Sequence, residues 1–175
     1  HNITVLFDEA YSDFVDKDEF YSAANLFPNF EKVIVVNSLS KTMGMSGWRI
    51  GYIITNQIMI KKILTLNQHL ITCAPSILQL YLAKHFKDIN KITVPQAQEI
   101  KIKRDKVQKL IDASGLKTLS GSSTFYFFID LRSYVKDTYF LAQYLLTNHH
   151  IAMVPGSAYG KSTAGFLRMS IGTEN

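Results

Sequence analysis

Residues 38–52 read SLSKTMGMSGWRIGY and come just after the apolar run VIVV at 33–36, with Asn37 between. Lys41 stands among serines and glycines, and Arg49 comes eight residues later. Polar, glycine-containing loops after strands are ordinary, and a solvated Lys and Arg there would need no function. The surrounding sequence has to decide.

Outward from this stretch, ITVLFD (3–8), KVIVVN (32–37) and WRIGYIIT (48–55) read as strands. Continuous apolar runs of this kind fit an α/β sheet covered on both faces. Helical patterns follow in QIMIKKILTLNQHL (57–70), SILQLYLAKHF (76–86) and QAQEIKIKRDKVQKLIDA (96–113), with Pro75 and Pro95 at first-turn positions. The character changes from about residue 91. Gly115 and GSS at 121–123 are turn signals, TFYFFIDL (124–131) is a strand, and DTYFLAQYLLTNHH (137–150) is a helix. IAMVP (151–155) and FLRMSI (166–171) read as short strands around the loop GSAYGKSTAG. The expected division is residues 1–90 and a smaller α+β domain at 91–175, with a long connecting helix around 94–113.

Composition narrows the classes. With 47% hydrophobic and 19% charged residues, the chain is globular rather than disordered. No apolar run approaches the roughly 18 residues of a membrane span, so no membrane role is expected. Five scattered histidines and one cysteine give no metal-ligand spacing, so no metal is expected. The lone Cys73 excludes an internal disulfide and fits a cytoplasmic setting. Much of the net charge of +5 falls in residues 87–109, where lysines line the outer face of a helix. No aromatic residues interleave those lysines, so nucleic acid is not an expected partner. The opening His1-Asn2-Ile3 runs straight into a strand, like a chain entered inside a domain.

Lys41 then has two chemical readings. SKT resembles the tail of a phosphate-binding P-loop, but the residues before it, VVNSLS, lack the required glycine. The other reading uses lysine as an amine, which when desolvated can form a Schiff base with an aldehyde such as pyridoxal phosphate. That cofactor needs a phosphate grip, a carboxylate at its ring nitrogen and a donor at its phenolic oxygen. Ser38 and Arg49 suit the phosphate, Arg49 through a forked, charge-assisted contact. Asp8 ends the preceding strand and Tyr11 follows three residues on. A carboxylate about 4 Å from a pyridinium is worth ~4 kcal/mol at an effective dielectric of about 20, enough to keep the ring protonated.

DEAY (8–11), SLSKTMGMSGWRIGY (38–52) and FLRMSIGT (166–173) resemble three signature segments of the class I/II, fold-type I aminotransferases, in the family's order and separation. APSILQ (74–79) has the same look. The resemblance covers nearly the whole chain but only the C-terminal half of the family. It implies a partial three-layer large-domain sheet with a smaller α+β domain, and pyridoxal 5'-phosphate as cofactor. Lys41 would bear the internal aldimine and shuttle a proton. Asp8 would pair with the pyridinium, Tyr11 with the phenolic oxygen, and Ser38 and Arg49 with the phosphate. Arg168 would grip the substrate α-carboxylate. The substrates implied are an amino acid and a 2-oxo acid in ping-pong exchange, and the intact enzyme would be a homodimer.

The half of the family that is not matched carries other parts of its cofactor site, so the chain alone is expected to be inactive or nearly so. The same lysine and ring would serve a lyase or a decarboxylase of this fold. An aminotransferase-like sensor domain of a transcription regulator, or an inert truncated product, would share the motifs as well. SGWR resembles the branch acting on aspartate, alanine, aromatic or methionine side chains, and SLSKT with FLRMSIGT resembles histidinol-phosphate aminotransferases. The substrate side chain stays open.

Overall fold

The run ITVLFD becomes a strand only from its third residue. In the computed structural model, which describes residues 2–15 and 18–172, β1 covers Val5–Asp8. A short helix α1 (Ala23–Leu26), β2 (Val33–Ser38), a one-turn helix α2 (Leu39–Thr42) and β3 (Gly51–Ile54) follow. The three strands form one sheet in the order β1-β2-β3. β1 runs parallel to β2 with Asp8 opposite Val36, and β3 runs antiparallel with Gly51 opposite Ser38. Helix α3 (Gln57–Leu70) begins at Asn56, whose side-chain oxygen accepts the Met59 N–H at 2.9 Å, as an N-cap does.

The chain divides into two compact units, residues 1–98 and 99–175. Helix α4 (Ser76–Ala113) carries the sequence from one into the other. Two separate helices at 76–86 and 96–113 were the expectation; the structure has one, with Pro95 inside it. Proline removes a single intrahelical donor, that to the Lys91 carbonyl, and the long helical pattern on both sides carries the backbone through. Pro75 stands just outside α4, its carbonyl accepting from the N–H groups of Leu78 and Gln79.

In the first unit β2 alternates buried and half-buried side chains. Val33 and Val35 pack with Ala23, Phe7, Ala24 and Phe30, and a second cluster joins Leu39, Met43, Ile50 and Leu82. Cover on both faces of every strand was expected. Among the described residues all four positions of β3 are exposed, as are three of four in β1, and α3 has no buried residue. WRIGYIIT is also not strand throughout. Ser46–Trp48 form a 3-10 turn and Arg49 is left-handed (φ 55°), so the strand starts at Gly51. Glycine is needed there because a Cβ would stand 2.5 Å from the Asn37 carbonyl oxygen.

The second unit is built on a four-stranded antiparallel sheet: β4 (Lys117–Thr118), β5 (Tyr126–Asp130), β6 (Val154–Pro155) and β7 (Phe166–Ser170), in the order β4-β5-β7-β6. Helix α5 (Thr138–His149) is capped by Asp137, which accepts from the N–H groups of Tyr139 and Phe140. It closes at His150 in the left-handed conformation. Ile111, Phe127, Ile129, Leu131, Ala142, Leu167 and Ile171 form one continuous core. Among the described residues, no helix is long and apolar enough to cross a membrane.

Candidate active site

The register fixes one end of the first sheet as a meeting place. Asp8 is the last residue of β1, and the next residue continues the ladder through the Glu9 N–H to the Val36 carbonyl, 2.8 Å. Two residues further along β2, Ser38 ends that strand and caps α2, its hydroxyl accepting from the Ser40 N–H at 3.3 Å. Lys41 lies in the single turn of α2 and is half-buried. Arg49 stands two residues before Gly51, the partner of Ser38, so it enters at the same end. The loop between is closed on itself: the Leu39 N–H donates to the Ile50 carbonyl at 3.1 Å, and the Met45 N–H to the Leu39 carbonyl at 3.3 Å. Gly44, at φ 62°, supplies the left-handed turn this closure needs.

Asp8, Ser38, Lys41 and Arg49 thus share the carboxyl-terminal edge of β1 and β2, where open α/β sheets bind ligands. Asp8 is exposed and accepts the Ala10 N–H at 3.1 Å. Arg49 is exposed and donates to the Ser46 carbonyl at 2.8 Å, which leaves the rest of its fork available to an anion. Tyr11 opens the 3-10 turn Ser12–Phe14 just beyond β1, its ring 6.0 Å from that of Phe14.

Two supporting residues escaped the sequence reading. Glu9 accepts from the Ser22 hydroxyl at 2.8 Å and the Ala23 N–H at 2.8 Å, fixing the segment after Asp8 to the start of α1. Asn37 is buried; its side-chain oxygen takes the Ser38 N–H at 2.7 Å and its amide reaches the Ser12 hydroxyl at 3.5 Å. The acid pair at 8–9 and the polar residue ending VIVVN were the available signals. A cavity of about 310 Å³ lies beside these groups, lined by Ser12, Asp13, Asn37, Thr42, Tyr52 and Asn90 among others. Asp8, Lys41 and Arg49 are not in its wall. Burial raises the Tyr52 pKa above the usual tyrosine value, and the carboxylates of Asp13 and Glu9 add to the shift.

Arg168 belongs to the second unit, on β7 between Phe128 of β5 and Val154 of β6. Its guanidinium carbon lies 4.4 Å from the Tyr126 ring centre and 5.0 Å from that of Tyr159. Its Nε is buried and has no hydrogen-bond partner. A buried donor left unpaired costs about 1–3 kcal/mol, and a bound carboxylate would remove that cost. The aromatic residues of the strand TFYFFIDL therefore include one, Tyr126, that faces a charge. Their alternation sets Tyr126 and Phe128 on one face of β5, with Phe128 directly opposite Arg168. Thr173, the last residue of the FLRMSIGT segment, lies outside the described residues.

A lysine, a serine, an arginine and a carboxylate at the edge of an α/β sheet match the donor set that pyridoxal phosphate would need. The family model described as aminotransferase class I and II matches residues 1–175, and the chain belongs to that family, whose members use pyridoxal phosphate. An aspartate aminotransferase of Pyrococcus abyssi is 32% identical over 176 residues, covering 99% of this chain and 45% of that protein. An aromatic-amino-acid aminotransferase of Thermococcus litoralis is 29% identical over 176 residues, again with 99% and 45% covered. The solved aromatic aminotransferase of Pyrococcus horikoshii superposes with a TM-score of 0.88 at 32% identity, over 99% of this chain and 48% of that one. The chain spans just under half the length of the relatives it matches.

Proposed function

We propose that this chain supplies part of a pyridoxal-phosphate-dependent aminotransferase, which moves an amino group from an amino acid to a 2-oxo acid. The observation that carries the reading is the gathering of Asp8, Ser38, Lys41 and Arg49 at one end of the β1-β2-β3 sheet. When bound, the cofactor supplies an aldehyde and an electron-withdrawing ring that lets the substrate α-carbon release a proton. Lys41 would bond the aldehyde through its amine and carry that proton. Asp8 would keep the ring nitrogen protonated, and Tyr11 would donate to the ring oxygen. Ser38 and Arg49 would hold the phosphate, and the paired donors of Arg168 would take the substrate carboxylate.

On this reading residues of the first unit belong to the cofactor-binding domain and those of the second to the small domain. Turnover is assigned to the full-length protein, a cytoplasmic homodimer. Relatives named as aspartate and aromatic aminotransferases support those amino acids as the substrate class. The test is borohydride reduction of the purified protein with pyridoxal phosphate, followed by peptide mapping. The pyridoxyl group is expected on Lys41, and Lys41→Ala should abolish it. Label spread over surface lysines and insensitive to that substitution would remove Lys41 from the role.

A further inference from the structure

Arg104 is only 6% exposed, yet its guanidinium donates to backbone carbonyls rather than to a carboxylate. One terminal nitrogen donates to the carbonyls of Thr124 and Tyr126 at 3.2 and 2.7 Å, and the other to Gly121 at 2.6 Å. Its guanidinium carbon stands 4.2 Å from the Phe127 ring centre. Burial lowers its pKa from the usual arginine value. Each of the three acceptors lies in the irregular segment leading into β5 or at that strand's first residue. Residues 121–125 lie outside the strands, though the Phe125 carbonyl accepts the Ile171 N–H at 2.9 Å and Tyr126 pairs with Ser170, and a planar fork of donors ties this stretch to the start of the ladder in three places.

The residue set by this clamp is Tyr126. Its carbonyl takes the shortest of the two bonds from that nitrogen, its N–H donates to the Thr124 hydroxyl at 3.2 Å, and its ring lies under the Arg168 guanidinium. The second ring against Arg168, that of Tyr159, is held by an edge contact with Phe128, ring centres 5.3 Å apart. Rings against a guanidinium leave its N–H edge as the direction in which it can receive a ligand, and here that edge includes the unpartnered Nε.

We infer that Arg104 is a positioning residue, which fixes Tyr126 so that Tyr126 and Tyr159 together hold the guanidinium of Arg168 as a receptor for a carboxylate. The inference rests on the reading of Arg168 as the carboxylate anchor. It makes Tyr126 and Tyr159 determinants of carboxylate affinity, acting through their rings and not through their hydroxyls.

The experiment is the arginine side-chain 15N–1H spectrum of the protein, with the Arg168 Nε–H signal assigned by Arg168→Lys and followed during titration with pyruvate. In the wild type the signal should be displaced by ring currents and move saturably with pyruvate. Arg104→Lys, which keeps the charge and loses the fork, should shift the signal toward those of exposed arginines and weaken pyruvate about tenfold. A folded Arg104→Lys protein with the wild-type signal and affinity would overturn the inference. Should that variant not fold, Tyr126→Phe and Tyr126→Leu decide. The inference expects unchanged affinity for the first and about tenfold weaker binding for the second, and equal affinities overturn it. Should pyruvate leave the wild-type signal in place, the anchor reading of Arg168 falls, and the response of that signal to Arg104→Lys alone settles the positioning.

Discussion

The two units treat their sheets differently. In the second, the central strands β5 and β7 lie on a continuous core in which Leu167 is 1% exposed and Phe127 2%. In the first, Val35 is as deeply buried, but its neighbours Ile53 and Ile54 are each 38% exposed and α3 presents no buried residue. Both units are rich in apolar strand residues, so composition does not separate them. The difference is in what covers the strands. The second unit closes its core with elements of its own, and the first keeps apolar strand surface open beside a polar edge.

The largest effect should come from testing that contrast directly. Leu167→Ala should lower unfolding free energy by about 2–5 kcal/mol, because a large buried side chain leaves a cavity. Ile53→Ala should change it by about 0.5 kcal/mol or less, as surface substitutions do. Denaturant titration of both variants gives the comparison. An Ile53 cost equal to that of Leu167 would mean the β3 face is covered in solution.

Gly51→Ala probes the seam between β2 and β3. Its methyl would meet the Asn37 carbonyl oxygen at 2.5 Å, so the strands must part. The expected loss is about 1–3 kcal/mol in the same titration. It should be accompanied by faster exchange of the Leu39 amide, which donates to Ile50 next to the seam.

The smallest effect concerns pH in the second unit. Two bonds from the Arg132 guanidinium, at 2.7 and 2.9 Å, and one from its N–H hold the Asp130 carboxyl at a pKa of about 2, below the ordinary 3.8. A carboxyl with a lowered folded-state pKa stabilises the fold above its unfolded pKa. That contribution is lost as pH falls from about 3.8 through about 2. Asp130→Asn should therefore be slightly less stable than wild type at neutral pH and equal to it below about 2, measured by thermal melts across the acid range. The pair is solvent-facing, and added salt should shrink the difference.

Much of this molecule was legible in its residues. QIMIKKILTLNQHL forms a helix over the full 57–70, because its Asn56 cap and apolar spacing act locally. The family signatures placed Asp8, Ser38, Lys41 and Arg49 in one neighbourhood, and the strand register brings them to one edge. What sequence missed depended on non-local geometry. Pro95 was read as a helix start because proline favours that position, whereas the surrounding helix outweighs one missing bond. Arg104 looked like one more basic residue on a lysine-rich helix face. Only the return of residues 121–126 toward that face makes it a buried clamp.

Arg49 carries a further consequence. It holds a left-handed backbone, φ 55° and ψ 42°, that costs an arginine about 1–2 kcal/mol and a glycine almost nothing. The proposed phosphate anchor is therefore also a point where the chain could gain heat resistance in a single step, by Arg49→Gly. A library screened for thermal survival alone would enrich that variant and lose the anion grip with it. Any effort to harden this protein should hold position 49 fixed, or select for cofactor retention in the same round.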